Sequence, residues 1–308
     1  FAPPTLETII VPQRLADRSA LHAALAQLVE QDPLINLRHD ESHHELFVSL
    51  YGEVQKEVIQ ATLAGEYAIE VEFRESTTIC AERVIGVGQA IDLIGKNDNP
   101  FLATVGLRIE PGLPNSGITF RLEARLETIP LYVYKSVEEF HATMHQTVRD
   151  VLEQGLFGWQ VSDCIVTMSH SGYVSPASTA RDFRLLTPLV LMAALQQAGT
   201  EVCEPMQRFH LEVPADSFGR LLPALAQLRA APGAPMIRGS QCLLDGDIPA
   251  AHLHALQQQL PGLSHGEGVL EYAFDHYKPV HGPPPVRART DLNPLNRKEY
   301  LLHVLRRV

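Results

Sequence analysis

Ten residues near the middle of the chain, 170–179 (HSGYVSPAST), carry the side chains best suited to contact chemistry. Tyr173 offers a flat face for base stacking, worth roughly 1–3 kcal/mol per base where it occurs. Ser171, Ser175, Ser178 and Thr179 can donate to phosphate or 2′-hydroxyl oxygens. Pro176 fixes its own φ and pushes Ser175 toward extended backbone. The segment therefore reads as a surface that touches something, with RNA as the candidate partner. The plainer alternative is an ordinary surface loop in which Ser178 or Thr179 caps the next helix.

Bond-making chemistry finds less support. His141 and His145 stand at i and i+4 of an expected helix, a spacing that can offer two imidazoles to one ion. The residues between them are Ala-Thr-Met, with no Glu in the catalytic place. His39, His43 and His44 cluster with Asp40, Glu41 and Glu45, but in an expected hairpin turn, where polar residues belong anyway. Asp163, His170 and Ser171 have the residue types of a triad but no GxSxG elbow. There is no GxxxxGK[ST] phosphate loop, and Gly86 with Gly88 is a lone GxG.

The elements that must position the central loop follow from periodicity. Residues 161–168 are mostly Val, Ile, Thr and Cys and predict a strand. A helix is expected from about Ala180, with Asp182 in its first turn and Leu185, Leu186, Leu189 and Val190 on an apolar face. Upstream, Ile118, Phe120, Leu122, Ala124 and Leu126 alternate with polar residues and predict a strand with one wet face. Val137, Phe140, Met144, Val148 and Val151 then mark a helix. On either side lie two segments of βαββαβ order, the ferredoxin-like split βαβ. In the first, strands are expected at residues 6–11, 34–39, 45–50 and 67–74, and helices at 17–31 and 53–63, the second with Val54, Val58 and Ala61 inward. In the second, strands are expected around Leu211, Met236, Leu243 and Tyr272, with helices marked by Leu221 and Leu225 and by Leu253 and Leu256. A last short helix is expected at Pro294 after an Asn293 cap.

Composition bounds the partners. The 308 residues suffice for two or three domains, and the values of 45% apolar and 20% charged residues are globular. A net charge of −11 argues against nonspecific nucleic-acid binding without excluding a local contact. No apolar run is long enough to cross a bilayer. The four cysteines are scattered, without CxxC, which suggests neither a disulfide framework nor a zinc site and fits a reducing cytoplasm. The start at Phe1 is read as an excised piece of a longer protein. Residues 283–308 reverse the sign, with Arg287, Arg289, Arg297, Lys298, Arg306 and Arg307 against Asp291 and Glu299. This tail could pack on the middle domain or lie on RNA phosphates, through Arg297, Lys298, Arg306 and Arg307.

Several longer runs carry a resemblance. They are DPLI (32–35), GEVQKEVI (52–59), NPFLATVGLRIEP (99–111), GLFGWQVSDC (155–164), YVSPAST (173–179), DFRLLTPLVL (182–191), AGTEVCEP (198–205) and GDIPA (246–250). In this order they resemble the C-terminal half of elongation-factor-G-like GTPases. The likeness is strongest to the tetracycline-resistance ribosomal protection proteins of the Tet(M)/Tet(O)/OtrA group. It implies an α+β chain. Residues 1–75 would be domain III, 76–205 domain IV with a fold like domain 2 of ribosomal protein S5, 206–282 domain V, and 283–308 a basic extension with a helix.

It also implies a ribosomal partner. Domain IV would reach small-subunit rRNA at the decoding site, and domain V the factor-binding region of the large subunit. The protein would be a cytoplasmic monomer with no membrane partner. The pressing loop would be Tyr173, Val174, Ser175, Pro176, Ala177 and Ser178, with Pro176 at its tip. A neighbouring loop of Asn97, Asp98, Asn99, Pro100 and Phe101 would assist. GTP and Mg would belong to an N-terminal domain outside this chain, which would itself hold no cofactor or metal and be catalytically inactive. Two alternatives stay open: an elongation-factor-G-like translocation factor, and a small-molecule-sensing ferredoxin-like regulatory module.

Overall fold

The computed structural model describes residues 4–32, 35–52, 54–74, 76–96 and 98–305, apart from 41–44. Two compact units emerge. One comprises residues 1–80 and 204–278, the other 81–203 and 279–308.

The first unit holds both ferredoxin-like modules. In the N-terminal one, strand Asn36–Asp40 pairs with Glu45–Leu50, which pairs with Leu6–Pro12, which pairs with Val71–Phe73, all antiparallel. Helices Arg18–Gln31 and Val54–Tyr67 cover the sheet. Leu21, Leu25 and Leu28 of the first helix are buried, as expected from their spacing. The second helix corrects the expected inward face. Val54 and Val58 are 72% and 58% exposed, and Ile59 and Leu63 are buried instead. Both stripes obey helical spacing. The one carrying Ile59, Leu63 and Tyr67 removes more apolar area from water, and burial follows area. The helix also runs on to Tyr67, so the strand expected from residue 67 begins only at Val71. Ala68, at φ 55°, ends the helix, and the Ile69 N–H turns back to the Leu63 carbonyl at 3.0 Å.

The C-terminal module repeats the plan. Val269–Pro279, Thr200–Pro214, Gln241–Pro249 and Met236–Arg238 lie in that order, under helices Phe218–Gln227 and Ala250–Leu263. Phe209, Leu211, Leu225, Leu244 and Leu256 form its core.

The second unit holds the site. Its four-stranded sheet runs Gly88–Asp92, Ala103–Pro111, Cys164–Tyr173, Ile118–Leu122. Cys164–Tyr173 is antiparallel to Ala103–Pro111 and parallel to Ile118–Leu122. A parallel pair needs a crossover, and helix Val137–Val151 supplies it. That helix begins where the Ser136 hydroxyl accepts from the Glu139 N–H. Helix Ala180–Ala198 contributes Phe183, Leu186, Leu191 and Leu195 to one core with Leu107, Phe140, Met144 and Val166.

Three expectations are corrected here. The strand expected at 161–168 is two strands, Gln160–Ser162 and Cys164–Tyr173, in different sheets. Asp163, at φ 53°, makes the break, and its carboxylate accepts from the Gly117 N–H and faces Arg83 at 3.6 Å. The second strand runs to Tyr173, so residues 170–173 are paired backbone and not loop. The wet-faced strand stops at Leu122, and Leu126 stands exposed in a single helical turn.

The tail packs on the middle domain. Trp159 donates through Nε1 to the Pro285 carbonyl at 2.8 Å, and the Arg287 N–H donates to the Phe157 carbonyl at 2.9 Å. Gly158, at φ 81°, is required at this crossing, because a Cβ there would strike the Arg287 carbonyl. Glu82, fully buried, fixes the same loop: its carboxylate accepts from the N–H groups of Leu156, Phe157 and Trp159 and from the Thr200 hydroxyl. The terminal helix begins at Arg297 and not at Pro294. Asn293 is left-handed, at φ 49°, and it is Asn296 whose side chain accepts from the Glu299 N–H.

Tyr300 and Val304 of that helix join the core, and the Tyr300 hydroxyl donates to the Leu185 carbonyl at 2.9 Å. Burial pushes the Tyr300 phenol up to about 12. The neutral phenol is the form the fold favours. Its contribution is therefore full below about pH 10, the ordinary tyrosine value, and is lost as pH rises through 12. An ultraviolet titration of the chain against Tyr300→Phe should show this phenolate appearing about two units above the exposed tyrosines. Ionisation of Tyr300 near pH 10 would mean the tail is not docked.

Candidate nucleic-acid interface

The central loop is a short turn between two buried hydroxyls. Ser171 lies on the strand, 7% exposed, and donates to the Thr128 carbonyl at 3.0 Å. Ser178, 2% exposed, accepts from the Val174 N–H at 2.7 Å and donates to the Leu102 carbonyl at 2.5 Å. The N–H groups of Ala177 and Ser178 both turn back to the Val174 carbonyl. Neither Ser171 nor Ser178 can therefore serve as the RNA donor expected of it, because each hydroxyl is committed inside the protein. Val174, Ser175, Pro176 and Ala177 are exposed, and Tyr173 is half-buried. The Ser175–Pro176 peptide is cis.

The following helix is tied to the turn. The Asp182 carboxylate accepts from the Thr179 N–H and hydroxyl, closing the helix N-terminus. Its other oxygen accepts from the Leu102 N–H at 3.1 Å. Leu102 is thus held on both backbone groups, by Ser178 and by Asp182. This brings the second expected loop beside the first. In that loop Asn99 donates to the Leu93 and Ala103 carbonyls and accepts from the Phe101 N–H. Phe101 is a core residue, whereas Asp98 and Pro100 are exposed. Asn97 lies outside the described residues.

Sequence reasoning missed Tyr132. It sits in the short helix Leu131–Tyr134, and its hydroxyl faces the Ser178 carbonyl at 3.0 Å and the Val174 carbonyl at 3.3 Å. Its ring lies 5.6 Å from that of Tyr173, tilted by 57°. The available signal was two tyrosines two residues apart, of which a one-turn helix buries only one. Tyr134 is the buried one, and burial pushes its phenol up to about 12.

The other candidates form no site. The His141 and His145 rings do lie together, 6.2 Å apart, but both pack on Phe120, where His141 faces the Phe120 carbonyl and His145 stacks on the ring. His39 lies edge-on to His22, while His43, His44 and Glu41 fall outside the described residues. Among the described residues no group of three or more His, Cys, Asp or Glu is placed to hold a metal ion. Asp163, His170 and Ser171 bond to different neighbours. Gly88 has a packing role, since a Cβ there would strike the Ala194 carbonyl of the covering helix. Of the basic tail, Arg297 pairs with buried Asp92 at 2.7 Å, so at this residue the tail packs on the middle domain, one of its two expected courses. A carboxylate buried at the sheet requires such a counter-charge. Lys298 is exposed, and Arg306 and Arg307 lie outside the described residues.

Comparison with known proteins gives the family. Family profiles match three parts of the chain: Elongation Factor G, domain III, at residues 1–75; Elongation factor G, domain IV, at 94–199; and Elongation factor G C-terminus at 201–287. The chain belongs to the elongation-factor-G-like family. It is 46% identical to the oxytetracycline resistance protein of Streptomyces rimosus, over all of this chain and 46% of that protein. It is 41% identical to the tetracycline resistance protein TetM of Streptomyces lividans, over 87% of this chain and 41% of that one. It is 35% identical to TetP of Clostridium perfringens, over 99% of this chain and 46% of that one. The chain thus spans about half the length of these relatives. A crystal structure of a Thermus thermophilus protein shares the fold, with a TM-score of 0.67 and 21% identity over 99% of this chain and 43% of that one. The loop under discussion lies within the domain IV match.

The hydrogen-bonding pattern separates the loop's hydroxyls. Ser178→Ala removes the partner of the part-buried Val174 N–H and Leu102 carbonyl, at about 1 kcal/mol each, the ordinary net worth of a hydrogen bond. A loss of about 2 kcal/mol in urea unfolding is expected, with faster hydrogen exchange at Val174. Ser175→Ala, on the exposed turn, should stay within about 0.5 kcal/mol of the parent. Equal effects of the two would remove Ser178 as the anchor.

Proposed function

We propose that this chain is the ribosome-facing part of a translational GTPase of the ribosomal protection kind. In this reading the turn at residues 174–177 presses on small-subunit rRNA at the tetracycline site of the decoding region, and the drug leaves. The C-terminal module faces the factor-binding region of the large subunit. GTP and Mg are held by a domain outside this chain, and turnover depends on it. The protein works as a monomer in the cytoplasm, where ribosomes are.

One observation carries the reading. The exposed turn is pinned by the hydrogen bonds of the buried Ser178 side chain, and a second loop is clamped to it through Leu102. A contact that must displace a bound molecule needs a surface that does not yield, and preorganisation lowers the ordering cost of binding. The similarity to proteins named for tetracycline resistance supplies the drug. The chain makes its contact without net positive charge, which suits stacking and shape better than phosphate attraction.

The test is growth in tetracycline of cells making the full-length gene product with Tyr173→Ala or Pro176→Ala. One lost stacked base is worth roughly 1–3 kcal/mol, so drug release by Tyr173→Ala should weaken about 5- to 150-fold. Protection at the parent level in both variants would take the turn out of the mechanism. Support of peptide synthesis on drug-free ribosomes would point instead to a translocation factor.

A further inference from the structure

We propose that Tyr132 is a second base-contacting residue of the same tip, its ring standing beside Tyr173 as a stacking face for one unpaired RNA base. The proposal rests on the RNA-contacting reading above. Tyr132 is 47% exposed, although Tyr134 in the same helical turn is almost wholly buried at 3%. Its hydroxyl is directed at two carbonyls of the turn, Val174 and Ser178, so the ring is fixed at one end while the rest remains accessible. A side chain needed only as a prop would gain by burying its ring as well.

The tilt of 57° between the Tyr132 and Tyr173 rings keeps them from covering each other face to face. Tyr173 is half-buried against the domain core, so of the two rings Tyr132 is the more exposed. Leu102, Leu131 and Val174, on the segments tied to this turn, are 39%, 46% and 41% exposed and add apolar surface. The carboxylate bonded into the tip, Asp182, is occupied by the Thr179 and Leu102 donors. Stacking is tolerant of base identity, so the class of ligand is an unpaired nucleotide of any sequence, read by its face.

The experiment measures binding of isolated small ribosomal subunits to the full-length gene product over a range of salt. Tyr132→Leu keeps apolar bulk and loses the ring; about tenfold weaker binding is expected, with the salt dependence unchanged because no phosphate contact is lost. Tyr132→Phe keeps the ring and loses the hydroxyl, and should stay within about threefold of the parent. Tyr132→Trp enlarges the face and should bind at least as well, with its indole emission quenched when subunits are added. The full-length parent protein, with tyrosine at position 132, gives the emission baseline. Thermal melts show that each variant folds.

Equal losses in Tyr132→Phe and Tyr132→Leu would make the residue a prop acting through its hydroxyl and would overturn the proposal. So would parental binding by Tyr132→Leu while Tyr173→Ala is impaired, an outcome that leaves the function reading standing. Parental binding by Tyr173→Ala, Pro176→Ala and Tyr132→Leu together would overturn both.

Discussion

A single buried hydroxyl organises the end of the middle domain. Ser178 takes the Val174 N–H and gives its own proton to the Leu102 carbonyl, so one oxygen closes the turn and joins it to the neighbouring loop. Leu102 is then held from the other side by Asp182, whose carboxylate also closes the first turn of the helix. Strand end, turn, adjacent loop and helix start are thereby one hydrogen-bonded body. The polar groups that meet at Ser178 and Asp182 satisfy one another, which lets the network add rigidity. What remains outside is small: Val174, Ser175, Pro176 and Ala177, with Tyr132 and Tyr173 alongside.

A second buried polar centre, Glu82, does for the base of the domain what Ser178 does for its tip. Its carboxylate collects the N–H groups of Leu156, Phe157 and Trp159 and shapes the loop against which residues 285–287 lie. The tail is then carried along the domain by Gln154 with Thr290, by Arg297 with Asp92 and by Tyr300 in the core. Three of its basic residues find work inside the protein: Arg287 lies over the Trp159 ring, Arg289 binds Asp291 and the Gly155 carbonyl, and Arg297 binds Asp92. A run of like charge in sequence thus turns out to be a set of anchors, because most of the partners come from residues far away in the chain.

What the sequence disclosed and what it withheld divide along physical lines. The helix at Ala180, with Asp182 in its first turn, was legible because a capping signal and an apolar face agree within a few residues. The two βαββαβ modules were legible for the same reason, since each strand and helix has its own period. The inward face of the helix Val54–Tyr67 was not, because two stripes have equal periodicity and only packing chooses between them. The break at Asp163 was hidden by strand-forming residues on both sides; the left-handed backbone there is set by bonds to Gly117 and Arg83, both distant in sequence. Ser171 and Ser178 looked like ligand donors because residue type shows capacity and not availability. Tyr132 was invisible as a site residue because 41 positions of chain separate it from the ring it meets at 5.6 Å.

Under the proposed RNA-contacting reading, these features explain how an acidic chain can suit such a surface. Phosphate recognition gains from counterion release and demands clustered Lys and Arg, which a chain of net charge −11 with its tail arginines 289 and 297 already engaged does not offer at the tip. Stacking and steric contact demand something else, an aromatic or rigid apolar surface held still. The tip meets that demand with a proline in a closed turn, two tyrosine rings at an angle and the N–H groups of residues 177 and 178 already bonded within the turn. Contact of this kind depends weakly on salt and strongly on geometry. Its sensitivity therefore lies in the bonds of Ser178 and Asp182 as much as in the residues that would touch, and a change behind the turn can silence a surface it never reaches.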